Sequence, residues 1–410
     1  MASMEEEAPL KDAPDVPRTL PMKRVRSKSG PLGVKSPRNR VVVRVPATTA
    51  NLGPGFDALG MGIDIWNEIS VERSGKFSIS TEGEGVGAIP EEVGPNGESK
   101  HMVIVALRRA FEYAGEPMPP VRVVCRNRVP VCSGFGSSSA AIVGGLVAGL
   151  ALAGTEVRAQ FDPTSLQLPE ELLQLATEME GHPDNVSPAI YGGIQLSVQL
   201  TSIATAEPRA NPQLALSRRV PTPDGLRLVA YVPCEATRFS FASKDKTVEL
   251  RQLLPAQVPR TAAVFNIQRT ALLVDALHRG DLSILKYATE DFLHQPQRAT
   301  IYPHLIPMIR AAVTAGAHGA FLSGAGPTVL AICSGATGGD IFTQTREERQ
   351  EMKVAEGMRA AVNALPDEHA MWKDGKFYIC SPCHQGAHVV AADPPLSDSM
   401  ATFGTLEGAL

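Results

Sequence analysis

Residues 130–141 read PVCSGFGSSSAA, and an apolar, small-residue stretch, IVGGLVAGLALAG, follows them directly. Two glycines and three serines ahead of a predicted helix (137–154) indicate a loop that holds phosphate, because the free amides and the dipole of a helix N-terminus attract anions. The three serines are also expected to cap the helix amides. The loop contains no lysine and lacks the GxxxxGK[ST] spacing of the P-loop. Taken alone, it fits a simple capped turn equally well.

Two further glycine-rich segments favour a binding site over a simple turn. VPATTANLGPGFDALG (45–60) places Asn51 and Asp57 on a glycine-bounded turn after a predicted strand. FLSGAGPTVLAI (321–332) places Ser323 between two predicted strands. Glycine lets a backbone adopt positive φ and approach a ligand closely, so three such segments in one chain point to a shared role.

Composition and charge narrow the class of protein. The chain has 410 residues, of which 43% are hydrophobic and 20% charged, and this length leaves room for two domains with substantial cores. A formal net charge of −4 gives no indication of nucleic-acid binding. The longest apolar run, at 140–153, is shorter than the ~20 residues that span a bilayer, so no membrane association is expected.

Cysteine usage and the N-terminal segment bear on location. The chain does not begin with a compact apolar segment, so no secretory signal is expected. Six cysteines in so long a chain do not indicate a disulfide framework, and a reducing, cytoplasmic setting is expected. The segment CSPCH (380–384) matches the haem c attachment pattern. We interpret it as a chance occurrence, because haem attachment needs export and a structural zinc site needs four ligands.

The pattern of helices and strands predicts two α+β domains that follow a disordered tail. Residues 1–40 contain no aromatic residue and are rich in charge, which predicts the tail. The Pro-rich segment 201–224 is the predicted linker. Because helices mix with strand pairs instead of alternating strictly with single strands, the predicted class is α+β. Strands are predicted at 41–47, 63–71 (with 76–83 as its hairpin partner), 121–130, 225–233, 376–380 and 387–391, and helices at 102–114, 137–154, 169–181, 262–280, 281–295, 305–316 and 346–364.

The three glycine-rich segments carry a resemblance to a known family. Their order, PATxANLGPGFD, then PxxxGxGSSxA, then SGAGPT, resembles the signature motifs of the GHMP small-molecule kinases, and among these the sequence looks most like the homoserine kinases. The resemblance covers about residues 41–395. It implies an N-terminal ribosomal-protein-S5-like domain (41–215), a C-terminal ferredoxin-like domain (220–395) and a flexible C-terminal tail (396–410).

The resemblance assigns ATP binding to the serine-glycine loop, whose amides and helix N-terminus would hold the triphosphate without a lysine. The residues implied are Pro130, Val131, Cys132, Ser133, Gly134, Phe135, Gly136, Ser137, Ser138, Ser139 and Ala140. Two of them depart from the family's common GLGSSAA, since Phe135 replaces a leucine and Ser139 an alanine. Before the helix at 102–114 the family often supplies an asparagine to the adenine pocket, whereas this chain has His101.

The segment EMEGHPDN (178–185) resembles the part of the family that binds Mg²⁺ and the amino acid. Mg²⁺ prefers hard oxygen ligands and substrate phosphates. The resemblance implies Glu180 and Ser138 as its ligands, with Glu178 as second choice. From the residues alone, a solvated helix end is the alternative.

The same segment supplies three residues that the resemblance places in the amino-acid site: His182, Asp184 and Asn185. Asp184 is assigned a catalytic role, in which it orients or deprotonates the attacking hydroxyl. Positioning and charge stabilisation can suffice for phosphoryl transfer.

A substrate carboxylate calls for a cation, preferably a guanidinium with its fork of donors. Arg251 in KTVELRQLLP and Arg298 in FLHQPQRATIYP match family positions, and Arg251 is also assigned a catalytic role. Each arginine alone would more often be a surface residue. The resemblance implies that Asn51, Asp57 and Ser323 complete the pocket, with Asn51 near the amino and hydroxyl end of the substrate.

The activity implied is transfer of the γ-phosphoryl group of ATP to the side-chain hydroxyl of L-homoserine, with Mg²⁺, in threonine biosynthesis, by a homodimer. Two alternatives stay open: a kinase of this fold that acts on another small hydroxy acid such as mevalonate, and a non-catalytic ligand sensor. The HPDN segment favours homoserine over mevalonate. Loss of Glu180 or of the loop serines would indicate a sensor, and neither is missing.

Overall fold

A β-branched run begins the larger of two sheets in this computed structural model, which describes residues 37–155, 170–200, 215–240, 250–336 and 340–395. The strands of that sheet are β1 (Arg40–Ala50), β2 (Leu59–Arg73), β3 (Ser78–Gly83), β4 (Val121–Asn127), β5 (Ile194–Gln199), β6 (Ala215–Val220) and β11 (His388–Asp393). Within the described ranges their order is β11-β1-β2-β4-β3, with β5 beside one end of β2 and β6 beside β5. The long antiparallel β1–β2 pair therefore forms the centre of this sheet.

Helices cover one face of the larger sheet. They are α1 (Met102–Ala114), α2 (Ser137–Leu152), α3 (Glu170–Glu180) and α4 (Pro183–Tyr191). The apolar run after the serines is the buried helix α2, which packs on β1 and α1. A Cβ on Gly145 or Gly149 would lie 2.6 Å from the Cβ of Ala106 or Ala110 on α1, so these glycines permit close helix packing. The part of the chain that the structure describes contains no helix long and apolar enough to cross a membrane.

The smaller sheet is fully antiparallel and has the strand order β10-β7-β9-β8. Its strands are β7 (Leu226–Pro233), β8 (Gly319–Leu322), β9 (Val329–Ser334) and β10 (Gly375–Cys380). In chain order this is 4-1-3-2, the arrangement of a ferredoxin-like βαββαβ unit. The predicted α+β class is confirmed.

The second half of the chain also contains helices. They are α5 (Glu235–Ser240), α6 (Arg260–Arg279), α7 (Leu285–Ala288), α8 (Gln295–Arg298), α9 (Leu305–Thr314), α10 (Asp340–Thr343) and α11 (Gln350–Asn363), with 3₁₀ turns at Leu282–Ile284 and Asp367–Trp372. Helices α9 and α11 pack on one face. On the other face, Leu228 and Leu330 share a core with Leu59 and the fully buried Phe135. This shared core joins the two halves and holds the loop at residues 130–136 between them.

Some sequence predictions are wrong in the structure. Segment 76–83 does not form a hairpin with β2, because β3 pairs in parallel with β4 and the chain crosses over through α1. The predicted helix 281–295 is broken, since Asp281 caps a 3₁₀ turn and the chain leaves helical geometry after Ala288.

The predicted N-terminal tail, linker and domain boundaries also need correction. Residues 37–40 are ordered, and buried Arg38 donates to the Ala151 carbonyl at 2.9 Å. Residues 215–220 of the predicted linker form β6, which belongs to the larger sheet. Strand β11 also returns to that sheet, although it lies within the segment assigned to the C-terminal domain. The rest of the N-terminal tail, linker residues 201–214 and the C-terminal tail at 396–410 lie outside the described residues.

Candidate active site

Three glycine-rich loops from distant parts of the chain meet between the two halves. They are the first loop (residues 51–58), the second loop (130–136) and the third loop (323–328). Asn51 Nδ2 donates to the Gly324 carbonyl at 3.0 Å, which joins the first and third loops. Ser323 Oγ donates to the Gly134 carbonyl at 2.8 Å, which joins the third and second loops. Three segments that are far apart in the sequence thus form one continuous surface.

Glycine is required at two positions of the second loop. Gly134 has φ of 93°, and a Cβ there would lie 2.2 Å from the Ser323 carbonyl oxygen. Gly136 has φ of 63°, and a Cβ there would lie 1.9 Å from Thr48 Oγ1. Thr48 in turn donates to Asn185 Oδ1 at 2.8 Å. The other predicted ATP-binding residues belong to this loop or to the first turn of α2: Pro130, Val131, Cys132, Ser133, Phe135, Ser137, Ser138, Ser139 and Ala140.

Helix α2 begins at the second loop without a side-chain cap. Its N-cap residue is Gly136 in a left-handed conformation, so the predicted capping by serine is wrong. Ser138 and Ser139 instead donate their hydroxyls to Glu180 Oε1, at 2.9 and 3.0 Å. The amides of the first turn therefore keep their capacity to bind an anion.

Of the two glutamates at the end of α3, only one lies at this loop. Glu180 accepts from the serines, whereas Glu178 pairs with Arg109 of α1 at 3.0 Å. Glu180 and Ser138 thus present neighbouring hard oxygens beside the start of α2, which is the kind of ligand set that Mg²⁺ prefers.

Four charged side chains alternate in sign next to this point. Arg251 binds Asp57 through two hydrogen bonds of 2.8 and 2.6 Å. His182 Nδ1 is hydrogen bonded to Asp184. Burial opposes protonation of His182, but the Asp184 carboxylate and the hydrogen bond to it, together with Glu180, raise its pKa to about 9. At neutral pH the group therefore holds two carboxylates and two cations.

Asp57, His182 and Asp184 bring potential ligand atoms within 4.8 Å of one another, a spacing that would suit a metal ion. However, Asp57 is bonded to Arg251 through both of its oxygens, and the raised pKa of His182 favours its protonated form. A protonated imidazole has no free lone pair for a metal. The arrangement fits a zwitterionic ligand better than a cation.

Arg298 lies against this group from α8 and is only 2% exposed. Its Nη1 donates to the Gly324 carbonyl at 2.9 Å and to His294 Nδ1 at 3.0 Å, both neutral partners. Burial lowers its pKa to about 10, which leaves it charged at neutral pH. The Phe56 ring lies between the two arginines, 5.4 Å from Arg251 Cζ and 5.6 Å from Arg298 Cζ. The site thus contains a buried cation next to an ion pair.

Sequence analysis missed several residues that shape the site. Phe56 lies within the first motif, but its sequence context gave no sign of contact with arginine. His294 precedes Arg298 by four residues, a helical spacing that could have suggested contact. Asn266 and Thr270 on α6 both donate to the Pro54 carbonyl, at 3.1 and 3.0 Å, and so fix the first loop from the C-terminal half.

Two other sequence features have local explanations. His101 is the N-cap residue of α1, where Nδ1 accepts from the Val103 amide at 3.2 Å, and burial lowers its pKa. At the position where the family often has an asparagine, this histidine thus caps a helix. The thiols of Cys380 and Cys383 contact backbone carbonyls, and burial raises their pKa values to about 12 and about 11. They are therefore protonated at neutral pH, which agrees with a packing role.

Comparison with known proteins places these features in a family. Residues 101–193 match the GHMP kinases N terminal domain, and residues 273–360 match the GHMP kinases C terminal domain. A homoserine kinase of Desulfitobacterium hafniense is 39% identical over 294 residues, which cover 72% of this chain and 87% of that protein. A homoserine kinase of Rhodococcus opacus is 38% identical over 326 residues, which cover 78% of this chain and 97% of that protein.

Solved structures share the architecture. The crystal structure of homoserine kinase from Cytophaga hutchinsonii has a TM-score of 0.66 and 24% identity, and the match covers 88% of this chain and 100% of that one. A putative homoserine kinase from Listeria monocytogenes has a TM-score of 0.57 and 25% identity, over 86% of this chain and 99% of that one. A mevalonate kinase, at 14% identity and a TM-score of 0.55, shares the fold alone.

Proposed function

The chain belongs to the homoserine kinase family, and from that membership we propose that it transfers the γ-phosphoryl group of ATP to the side-chain hydroxyl of L-homoserine. The product is O-phospho-L-homoserine, an intermediate of threonine biosynthesis. One observation carries the proposal: an uncapped helix start beside Glu180 lies next to a group of alternating charges that suits a zwitterion. A phosphate donor and an amino acid would thus lie side by side.

The second loop and the start of α2 are the proposed triphosphate site. First-turn amides and the helix dipole bind anions, so no lysine is needed. Gly134 lies tightly against the third loop and Gly136 against Thr48 of β1, and these contacts hold the backbone in one conformation. Preorganised donors of this kind suit phosphoryl transfer, because its catalysis consists chiefly of positioning and electrostatic stabilisation.

Glu180 and Ser138 are the proposed Mg²⁺ ligands. Their oxygens share a hydrogen bond of 2.9 Å, and hard oxygen donors beside a phosphate site fit this ion. When bound, Mg²⁺ would neutralise charge on the phosphates. Ser139 also donates to Glu180 and so helps to orient the carboxylate toward the second loop.

We propose that the amino acid binds at the Asp57–Arg251 ion pair and forms an ion pair with each of the two side chains. Its ammonium group would take a share of Asp57, and its carboxylate would bind between Arg251 and Arg298. Charge-assisted and bidentate bonds of this kind are the strong ones in proteins. Asn51 and Ser323 use their side chains to hold the loops together, so we assign them to shaping the pocket.

The hydroxyl end of the substrate would lie toward His182, Asp184 and Asn185. Asp184 orients the hydroxyl and receives its proton as the new O–P bond forms, and the imidazolium of His182 holds the carboxylate in place. Asn185 is fixed through its Oδ1 by Thr48, which leaves its amide group available as a donor.

A coupled ADP-release assay with Mg-ATP and a panel of homoserine, mevalonate, shikimate and galactose tests the function. We expect turnover of homoserine well above that of the other three acceptors. Turnover of mevalonate instead would establish the second acceptor, and no turnover of any would favour the sensor. The Glu180→Gln variant, purified in the same way, controls for contaminating kinases.

We also propose a cytoplasmic location and a homodimer. The six cysteines are free thiols, as expected in a reducing compartment. Cell fractionation tests the location. Light scattering on the purified protein tests the dimer, and a monomeric mass at assay concentration would contradict it.

A further inference from the structure

We propose that His294 is a positioning residue, which holds Arg298 by a neutral acceptor so that the arginine's charge stays available to the substrate carboxylate. The inference rests on the proposed function, because it assigns Arg298 to the amino acid. His294 is fully buried and lies one helical turn before Arg298. It belongs to none of the three glycine-rich loops.

The hydrogen bonds of His294 define its tautomer. Nε2 lies 2.8 Å from the Gly53 carbonyl, which can only accept, so Nε2 carries the proton. Burial lowers the pKa of His294 to about 4, so the ring is neutral and Nδ1 accepts from Arg298 Nη1. Asp291 lies 3.6 Å from Nε2, but its carboxylate accepts from three backbone amides and from Asn266. The carboxylate is thereby satisfied without a proton from the histidine.

The neutral state of the His294 ring matters because a neutral acceptor does not cancel the positive charge of Arg298. Arg251 is paired with the Asp57 carboxylate, whereas Arg298 donates to His294 and to the Gly324 carbonyl. Arg298 Nε is buried and has no hydrogen-bond partner among the described residues. Asp57 and Asp291 attract Arg298 from a distance, but neither forms a direct ion pair with it among the described residues. A buried cation without a directly bound carboxylate is costly, and a bound substrate carboxylate relieves that cost. An aspartate or glutamate in place of the histidine would cancel the attraction.

The same ring ties the arginine to the first loop. Gly53 has φ of 90°, and a Cβ there would lie 2.2 Å from the Thr289 carbonyl oxygen, so this backbone is closely confined. The ring centroid of Phe56 lies 5.3 Å from that of His294. One side chain thus sets the distance between the first loop and Arg298, the two parts that we propose to contact the amino acid.

Steady-state kinetics of three variants test the proposal. His294→Gln keeps one donor and one acceptor without charge, and we expect its KM for homoserine within about threefold of the parent protein. His294→Ala removes the acceptor and should raise that KM about tenfold, since hydrogen bonds that involve a charged group are among the stronger ones. His294→Glu restores an acceptor but neutralises Arg298, so its KM should rise at least as much as in the alanine variant. The KM for ATP should not change in any of them.

Two kinetic results would overturn the assignment. One is a glutamate variant as active as the glutamine variant, because charge would then be irrelevant. The other is an equal rise of both KM values in the glutamine and alanine variants, which would indicate a purely structural role. Thermal melting of each variant identifies any that fail to fold.

A spectroscopic readout separates this inference from the proposed function. In ¹⁵N-histidine-labelled protein, with His294→Gln used for assignment, the ring should carry its proton on Nε2 and stay neutral from pH 6 to 8. A charged ring or an Nδ1–H tautomer would overturn the inference even if homoserine is turned over. The expected tautomer in a protein that does not phosphorylate homoserine would mean that the proposed function alone has failed.

Discussion

The two ends of the candidate site handle charge by different means. The phosphate end relies on backbone amides at the start of α2, shaped by Gly134 and Gly136, with Glu180 as its one carboxylate among the side chains described there. The amino-acid end relies on side chains, with an ion pair at Asp57 and a buried cation at Arg298. Backbone donors cannot be altered without moving the chain. Apart from Glu180, the phosphate end should therefore be sensitive to shape, whereas the amino-acid end should be sensitive to charge.

The largest effect should come from the one carboxylate of the phosphate end. Glu180→Gln keeps the shape but removes the charge that we propose to hold Mg²⁺, so kcat should fall about 1,000-fold, by analogy with loss of a key electrostatic group. The KM for homoserine should change little. Glu178→Gln is the matched control, because Glu178 pairs with Arg109. Steady-state kinetics at saturating Mg²⁺ make the measurement, and a larger loss in the control would reverse the assignment.

The second effect compares the two arginines. Arg298→Ala should raise the KM for homoserine about a hundredfold, since removing one partner of a buried charge pair costs roughly 2–5 kcal/mol. Arg251→Ala should raise the KM for homoserine only about tenfold, because this side chain is 36% exposed and water screens its charge. Neither should alter the KM for ATP by a similar factor. Equal effects on both substrates in Arg298→Ala would mean that the arginine does not belong to the amino-acid end.

A single methyl group should damage the phosphate end. Gly134→Ala places a Cβ at positive φ and against the Ser323 carbonyl, so it should lower the free energy of unfolding by about 2 kcal/mol or more and raise the KM for ATP. Chemical denaturation and ATP kinetics measure the two effects. Gly115→Ala is the control: that glycine also has positive φ but its Cβ would meet no atom within 4 Å, so only the smaller conformational cost should appear.

The last effect concerns stability and not activity, and it is a pH dependence at the amino-acid end. The pKa of His182 is raised from 6.5 to about 9, so its ion pair with Asp184 stabilises the fold fully below about pH 6.5. That stabilisation is lost as the pH rises through 9, and a pKa raised from 6.5 to about 9 corresponds to at most roughly 3 kcal/mol. Melting temperatures from pH 6 to 10, compared with His182→Gln, measure it. A difference between the two proteins that does not shrink at high pH would contradict the raised pKa.

Much of the site could be predicted from the sequence because its constraints are local. Glycine at 134 and 136 is required by positive φ and by close neighbours, and such positions leave a visible pattern. The order of the three loops then pointed to the family. The cap at α2 could not be predicted, because its serine hydroxyls bind Glu180, which lies 41 residues from Ser139.

Other features depend on contacts with residues that are distant in the sequence, and no local sequence pattern predicts such contacts. Strand β3 has an ordinary strand sequence, and only the crossover through α1 determines that it pairs with β4. The break after α7 depends on Asp291, whose carboxylate accepts from amides that follow it and from Asn266 of α6. The role of His294 was missed for the same reason, since its partners are a carbonyl of the first loop and an arginine that the motif already explained.

Strand β11 has a consequence for how the chain is made. It pairs with β1, so the edge of the larger sheet is completed by a segment that leaves the ribosome long after β1 and the second loop. During synthesis, the edge of β1 that will pair with β11 has no strand beside it until the end of the chain is made. Such an unpaired edge can pair with another chain and lead to aggregation. Cutting the gene between the two sheets would therefore yield an N-terminal fragment with that edge exposed, and its solubility should improve when the segment 388–393 is supplied in trans.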